Sequence, residues 1–516
     1  MAWDDLIKNL QNKRQKALGQ GGPEKTAIQK GKGRLTARER IDHLLDRDSF
    51  FEFGLLACSD MPGMKDKTAA DGLITGYGMI DGRRVGVVAS DFTVLASTNA
   101  RVYSKKAKHA REQSRELGFP LVWLAESGGG RLPDIQGSLG MASLSGEGGN
   151  RTSIYPQYSN ARTSPWITAV MGQSNGVPMW QACLSDFVVQ VKGSTLSVSG
   201  VRALKKAIAA TYTDEDMGGW QVHAEITGMA DRVAEDEEEC FGLIREFLDY
   251  MPSSSGDPPP DRPGPAKSAK ETKGIMDILP QKRTRSYDMY RVIEAIVDGG
   301  TFFDLKPLFG RAVITGLARI GGRVAGIVAN QPLVNGGAMG IEALEKMTAF
   351  FCLCDTFNIP LIFFHDTPGF ITGKDAEHRK VGLKVTVALE ALAQVTVPKI
   401  SVIVRKSYGQ AMLNMCGPTA GPDFIVAWPT AEVGFLEPEI AVDVVYGSKA
   451  ESEKAALIEK MVAEGNPWPL AEQFYIHDVI DPRDTRNYLI SVLSLIKKSK
   501  TGGKGRHLLA NWPSRF

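Results

Sequence analysis

The residues best placed to do chemistry in this chain are glycines. Glu126-Ser127-Gly128-Gly129-Gly130-Arg131 follows an apolar run, and Asp366-Thr367-Pro368-Gly369-Phe370 follows a matching run in the second half. A third segment, Tyr408-Gly409-Gln410-Ala411, comes shortly after the apolar stretch 399–404. Glycine after a strand lets the backbone bend sharply and present successive N–H groups. Such groups stabilise an oxyanion without any titratable side chain, above all where a helix begins. A glycine turn alone is also an ordinary tight connection, so its surroundings must decide.

Other chemistries fit these segments less well. A nucleophile elbow needs Gly-x-Ser-x-Gly, and Ala125-Glu126-Ser127-Gly128-Gly129 lacks the first glycine. Neither a dinucleotide fingerprint nor a phosphate-binding loop occurs at these turns. His365, beside Asp366 at the end of a predicted strand, could serve as a base, but a lone histidine there reads equally as a packed structural group. Glu437 and Glu439 offer a carboxylate pair, against the plainer reading of a solvated turn. Cys58, Cys183, Cys240, Cys352, Cys354 and Cys416 form no CxxC pair and have no histidine at ligand spacing, so no metal site is expected.

The elements that must position these turns come in two copies. Gly72-Leu-Ile-Thr-Gly-Tyr-Gly-Met-Ile-Asp-Gly-Arg83 realigns without a gap on Ala312-Val-Ile-Thr-Gly-Leu-Ala-Arg-Ile-Gly-Gly-Arg323, an offset of 315 − 75 = 240 residues. Phe119 to Ser127 falls on Ile359 to Thr367 at the same offset (360 − 120 = 240). A repeat this long implies duplication of a whole domain. In each copy an apolar strand (85–89, 324–329), a helical stretch (101–117, 341–357) and a second apolar strand succeed one another, which argues for buried parallel pairing in an α/β fold. Upstream, Thr36-Ala37-Arg38-Glu39 fits a capping box opening a helix through Leu45. The Ser-, Pro-, Gly- and Lys-rich stretch 252–273 reads as a linker. It separates an N-terminal domain, 1–251, from a C-terminal one, 274–516.

The 516 residues suit such a duplication, being too many for one ordinary core. With 43% hydrophobic and 23% charged residues and a net charge of +2, the chain has no polyelectrolyte character, so no nucleic acid is expected. The acidic start Asp4-Asp5 does not suit a signal peptide, and no run reaches the length of a membrane span. Scattered thiols in apolar runs point to a reducing, cytoplasmic compartment.

Taken in order, several segments resemble the carboxyltransferase family that includes the β subunits of propionyl-CoA and methylcrotonyl-CoA carboxylases. They are Leu35-Thr-Ala-Arg-Glu-Arg-Ile-Asp42, the turn 126–131, Ala329-Asn-Gln-Pro332, Cys354-Asp-Thr-Phe-Asn-Ile-Pro360, Asp366-Thr-Pro-Gly-Phe370, Val404-Arg-Lys-Ser-Tyr-Gly409 and Val479-Ile-Asp-Pro-Arg483. The resemblance implies two duplicated crotonase-like (ClpP/crotonase superfamily) α/β domains, the first on the acyl-CoA side and the second on the biotin side. It also implies one oxyanion hole at the amides of Gly129 and Gly130, and another at those of Gln410 and Ala411. Gly128, Arg131, Tyr408, Gly409 and Leu413 are then substrate contacts. Carboxyl would pass from carboxybiotin to the α- or γ-carbon of an acyl-CoA through a thioester enolate, the biotin ureido group acting as base. Biotin would ride on a separate subunit, since no Met-Lys-Met motif is present. A biotin carboxylase, a biotin carrier and a homo-oligomer, hexameric by family analogy, are the implied partners.

The motifs also depart from the family. Its first turn usually reads Gly-Gly-Ala-Arg, here Gly128-Gly129-Gly130-Arg131; its second reads Tyr-Gly-Gly-Ala-Tyr-Asp, here Tyr408-Gly-Gln-Ala-Met-Leu413. Gln410 is hard to place if its backbone needs positive φ, and Leu413 replaces an Asp associated with acyl-chain selection. Asn175-Gly-Val-Pro-Met-Trp180 is altered too. These departures leave an acyl-CoA decarboxylase, possibly independent of biotin, and a non-catalytic acyl-CoA-binding or scaffold subunit as alternative readings.

Overall fold

Asp81-Gly82 and Gly321-Gly322 turn the chain in the same way in the two halves. In the computed structural model their φ values are 50° and 72°, and 60° and 79°. Two consecutive left-handed residues match the right-handed twist of the strands they join. They close the antiparallel hairpins β2 (Leu73–Ile80) with β3 (Arg83–Ser90) and β10 (Val313–Ile320) with β11 (Arg323–Asn330). The structure describes residues 3–142, 144, 158, 162–209, 211–262, 274–496 and 507–513.

From each hairpin the chain crosses through a long helix to a parallel strand, as the sequence pattern predicts. The helix Arg101–Leu117 leads to β4 (Leu121–Ser127), and Ile341–Thr356 leads to β12 (Leu361–Thr367). Arg101–Leu117 packs Tyr103, Ala107 and Ala110 against Leu73, Val88 and Trp123, and stops at Gly118, whose φ of 67° makes a left-handed cap. At its start the Asp71 carboxylate accepts the N–H of Tyr103 at 2.7 Å, satisfying a donor that the first helical turn leaves over. The predicted capping box is present at the earlier helix Ala37–Leu44, where Thr36 and Glu39 bond reciprocally.

The chain divides into two compact units, Met1–Ser254 and Ser255–Ser514. Of the segment expected as a linker, 252–262 carry neither helix nor strand, and 263–273 lie outside the described residues. Unit 1 holds β1 (Phe51–Phe53), β2, β3, β4, β5 (Trp166–Asn175), β6 (Phe187–Val191) and β8 (Arg232–Ala234) in that order, with β7 (Thr195–Ser197) beside β5. Unit 2 repeats the order with β9 (Phe303–Leu305), β10, β11, β12, β13 (Lys399–Tyr408), β14 (Phe424–Ala427) and β16 (Asp478–Val479), with β15 (Glu432–Gly434) beside β13. The first two pairings of each sheet are antiparallel and the rest parallel. The equivalence outlasts the constant offset: β5 and β13 start 399 − 166 = 233 residues apart.

Each unit encloses its own apolar core, in unit 2 around Ile314, Ile327, Phe364, Ile400, Val402 and Trp428. Side chains of this size stabilise by about 1.5–3 kcal/mol each when fully buried. One buried cation recurs at the 240-residue offset. Lys106 donates to the carbonyls of Ala70 and Leu73, and Lys346 to those of Lys306, Phe309 and Val313. These lysines satisfy carbonyls on the approach to the first hairpin strand of each unit. Among the described residues no helix is long and apolar enough to cross a membrane.

Candidate active site

The turn after β4 is held from both sides by one loop. Gly128 N–H donates to the Ala96 carbonyl, Asn99 N–H to that of Gly129, and Arg131 N–H to that of Asn99, each at 2.8 Å. Leu95, Ala96 and Ser97 in this loop have φ of 48°, 53° and 47°. A non-glycine residue there costs roughly 1–2 kcal/mol. The equivalent loop of unit 2, Asn335-Gly336-Gly337, uses glycine at two of the three positions. Beneath the unit 1 turn Arg131 is almost wholly buried. Its guanidinium reaches Asp71 at 2.6 Å, Asp134 at 3.3 Å, and the hydroxyl and carbonyl of Thr98. The structure therefore places Arg131 as a brace under the turn, with its donors turned to the protein. Burial pushes the Asp71 carboxyl up, and Arg131 opposes that shift.

The two amides expected to form the first oxyanion hole differ. Gly129, at φ 104°, already donates to Ser127 Oγ at 3.2 Å. Gly130 N–H makes no hydrogen bond among the described residues, and Gly130 is exposed. A second amide without a partner among the described residues stands close by, in the segment Asn175–Trp180 that the sequence sets apart as altered without giving it a donor. Gly176, at φ 72°, follows β5 directly and caps the helix Val177–Leu184. A Cβ added to Gly176 would stand 3.8 Å from Gly129 Cα, so the two turns touch. Val177 N–H, the first of that helix, has no partner among the described residues, and Pro178 has no N–H to offer. The signal that could have found it is the match of Gly176-Val-Pro to Gly409-Gln-Ala, each following a ten-residue strand.

In unit 2 the strand ending at Tyr408 runs directly into the helix Gly409–Asn414. Gly409 carries the left-handed conformation, with φ 55°, and an added Cβ would stand 2.9 Å from the Phe435 carbonyl oxygen. Gln410 is not among the positive-φ residues, so a side chain is accommodated there without strain. This removes the backbone objection to Gln410. The amides of Gln410 and Ala411 lie in the first turn of the helix and have no partner among the described residues. Tyr408 is buried, its hydroxyl donating to Glu432 at 2.8 Å, while Leu413 is half-buried on the same short helix. Burial and the adjoining Glu432 carboxylate hold the Tyr408 phenol far above its ordinary range.

Buried carboxylates anchor both strands just before their turns. Each lies at an irregularity of register, between Ala125 and Ser127 in β4 and between His365 and Thr367 in β12. Glu126 receives Gln29 at 2.8 Å, Arg34 at 3.0 Å and Arg40 at 2.7 Å. Asp366 receives Arg405 at 2.9 Å, and burial pushes its carboxyl up against the pull of that guanidinium. The turn after β12 repeats the first: Gly369 N–H meets Thr367 Oγ1 at 3.3 Å, and Met339 N–H meets the Gly369 carbonyl at 3.0 Å. Glu437 and Glu439 do not form a pair with each other, because Glu437 binds Lys406 and Glu439 binds Arg283. His365 is fully buried, and burial pushes its imidazole down to about 3, which does not suit a base working near neutrality. Among the described residues no cluster of His, Cys, Asp and Glu could hold a metal ion.

This arrangement offers oriented backbone donors and no acid–base dyad, which suits stabilisation of an oxyanion more than proton transfer by a side chain. Residues 29–506 match the family model described as carboxyl transferase domain. The chain is 35% identical over 515 residues to the propionyl-CoA carboxylase carboxyltransferase subunit of Haloferax mediterranei, covering 97% of this chain and 98% of that one. It is 33% identical to the methylmalonyl-CoA decarboxylase subunit alpha of Veillonella parvula, covering 96% of each. Among solved structures it superposes on transcarboxylase 12S, determined as a hexamer with methylmalonyl-coenzyme A and methylmalonic acid bound, with a TM-score of 0.88, 30% identity and 96% of each chain covered. The chain belongs to the carboxyl transferase domain family, as a crotonase-like enzyme of the acyl-CoA carboxylase carboxyltransferase type.

Proposed function

We propose that the chain moves a carboxyl group between biotin and the α- or γ-carbon of an acyl-CoA through a thioester enolate held by backbone amides. The N-terminal domain, 1–251, which holds the touching turns of unit 1, takes the acyl-CoA side, and the C-terminal domain, 274–516, takes the biotin side. The observation that carries this reading is the set of N–H groups at Gly130, Val177, Gln410 and Ala411 that have no partner among the described residues, each on a turn fixed by a glycine at positive φ. In unit 1 the Gly130 and Val177 amides bind the thioester oxygen, and Gly129 contributes the bend more than a donor. In unit 2 the Gln410 and Ala411 amides offer two adjacent donors, which fits the ureido oxygen of biotin. When bound, biotin supplies the carboxyl group and the base, so positioning is the task left to this chain. Biotin arrives on a separate carrier subunit charged by a biotin carboxylase, and the chain works as a homo-oligomer, a hexamer like its structural relative. The buried thiols of Cys240, Cys352, Cys354 and Cys416 suit the reducing, cytoplasmic setting that belongs to this proposal.

The similarity to a decarboxylase subunit favours a second reading, in which the same amides stabilise the enolate left when carbon dioxide departs. One assay separates the two. Purified chain with cognate biotin subunits, ATP and labelled bicarbonate is expected to carboxylate an acyl-CoA; turnover of malonyl-type thioesters alone would move the reading to decarboxylation. Failure in both arms would sink the proposal.

A further inference from the structure

We propose that Arg202, Lys205 and Lys206, on the helix Val201–Ile208 of unit 1, bind the phosphates of coenzyme A while the thioester lies at the first turn. This inference rests on the acyl-CoA role proposed above for unit 1, and it names the residues that take the anionic end of that ligand. The helix starts at the turn itself. Gly176 N–H donates to the Ser197 carbonyl at 3.0 Å, and Ser197 Oγ donates to Asn175 Oδ1 at 2.7 Å. A Cβ added to Gly200, the residue that caps the helix, would stand 3.1 Å from Asn175 Nδ2. A rise of 1.5 Å per residue sets Arg202 to Lys206 about 3–9 Å along the axis from Gly200. Spacings of three and four residues put the three cations on one face, while Val201 and Leu204 are the half-buried side chains of the helix. Arg202, Lys205 and Lys206 are exposed, and among the described residues none of them has an ion pair or a hydrogen bond. Like charges at these spacings repel. The helix dipole accounts for Lys205 and Lys206 in the last turn but opposes Arg202 in the first. The helix by itself therefore gives no reason for the triplet, whereas an anionic ligand does.

The duplicated unit supplies the control. Its equivalent helix is Pro438–Tyr446, which follows β15 as Val201–Ile208 follows β7, at an offset of 438 − 201 = 237 residues. The strand ends, Ser197 and Gly434, and the caps, Gly200 and Glu437, keep the same offset. Arg202 then falls on Glu439, Lys205 on Val442 and Lys206 on Asp443. Both acids are neutralised, Glu439 by Arg283 at 3.0 Å and Asp443 by Lys454 at 3.2 Å. Unit 2 thus pairs its charges at the place where unit 1 leaves three cations open. Coenzyme A carries a pyrophosphate and a 3′-phosphate, whereas the fused rings of biotin carry no charge. A polyanion at unit 1 and a neutral ring system at unit 2 account for the reversal.

Titration calorimetry on the full chain tests this, with propionyl-CoA and with propionyl-pantetheine, which has the same thioester and arm but no phosphates. Replacing Arg202, Lys205 and Lys206 together by Gln should raise Kd for propionyl-CoA about tenfold, because exposed charge contacts are individually modest and three act together. The same variant should bind propionyl-pantetheine within about twofold of wild type. Arg202→Glu with Lys206→Asp, which copies the charges of unit 2, should raise Kd for propionyl-CoA about a hundredfold. Added salt should erode the preference of the wild-type chain for propionyl-CoA over propionyl-pantetheine and change the triple variant little. Equal affinity of wild type and triple variant for propionyl-CoA would overturn the proposal. So would a parallel loss for both ligands, which would mark a disturbed turn and not a lost phosphate contact. Normal affinity for propionyl-CoA with a raised KM for the biotin carrier would likewise overturn it and assign the helix to an acidic protein surface. Binding is read without turnover, so a chain that holds propionyl-CoA through these cations yet neither carboxylates nor decarboxylates any acyl-CoA would refute the function proposed above and leave the subsite standing.

Discussion

Gly129 and Gly130 stand side by side yet make different demands on the backbone. Gly129 has φ 104°, where an L side chain is strained whatever space surrounds it, and among the described residues an added Cβ meets Asn175 at 3.8 Å. Gly130 has ordinary φ, and its added Cβ would meet only the Ile135 Cδ1 atom, at 2.7 Å. That atom is the end of a side chain free to turn. Gly129→Ala should therefore misdirect the turn and lower kcat by about 10²-fold, whereas Gly130→Ala should stay within about threefold of wild type, since a shifted Ile135 rotamer costs of order 1 kcal/mol or less. Steady-state kinetics on the two variants with one acyl-CoA checks this, and equal losses would mean that space and not conformation governs the turn. Gln410 belongs to the same comparison. Because Gly409 and not Gln410 takes the left-handed conformation, Gln410→Gly leaves both amides where they are. Its kcat should change by no more than about threefold while the helix weakens by about 0.5–1 kcal/mol, read as a lower unfolding midpoint.

The elements beneath the turns are held by buried charge as much as by apolar contact. Glu126 has no exposed surface and its two oxygens bind Arg34, Arg40 and Gln29, tying the residues before and within the helix Ala37–Leu44 to the end of β4. Removing one partner of a buried pair leaves the other uncompensated. Glu126→Gln should cost about 3–5 kcal/mol in urea unfolding, with activity lost through the turn that follows. The two buried lysines give a pH signature of their own. Burial pushes Lys106 and Lys346 down to about 8, below the value near 10.4 of an unfolded lysine. Between those values the unfolded chain binds more protons, so stability rises with pH across about 8 to 10 and falls back as pH drops through 8. Each lysine should contribute about 2 kcal/mol by pH 9.5, and Lys346→Met should flatten the profile by one such share. Much of this scaffold was legible. The 240-residue repeat, the hairpin glycines, the helix from Arg101 to Leu117 and the Thr36 capping box follow from local pattern. What local pattern could not reveal was pairing: that Gly129 spends its N–H on Ser127, that Arg131 faces inward to Asp71, and that Glu437 and Glu439 each take a separate cation. The segment Asn175–Trp180 stood out as altered, but its equivalence to Gly409-Gln410-Ala411 escaped because loops of different length shift the offset from 240 to 233 before β5 and β13 begin.

At the scale of the whole chain, duplication has left two units with the same strand order and unequal turns. Unit 1 sets Gly130 against Val177, with Pro178 closing off a further donor. Unit 2 keeps two adjacent amides at Gln410 and Ala411, at the start of the helix Gly409–Asn414. Such asymmetry suits two different ligands better than two copies of one, and ligand-dependent hydrogen exchange on the full chain tests it. A saturating acyl-CoA should slow exchange at Gly130 and Val177 and leave Gln410 and Ala411 unaffected, while biotin should do the reverse. Binding at a hundred times Kd stabilises the folded state by about 2.7 kcal/mol, so the same samples should also melt at higher temperature with the preferred acyl-CoA than with free CoA. If acyl-CoA instead protected all four amides equally, both units would be acyl-CoA sites and the division of labour would be wrong. If it protected 410 and 411 alone, the roles of the two units would have to be exchanged.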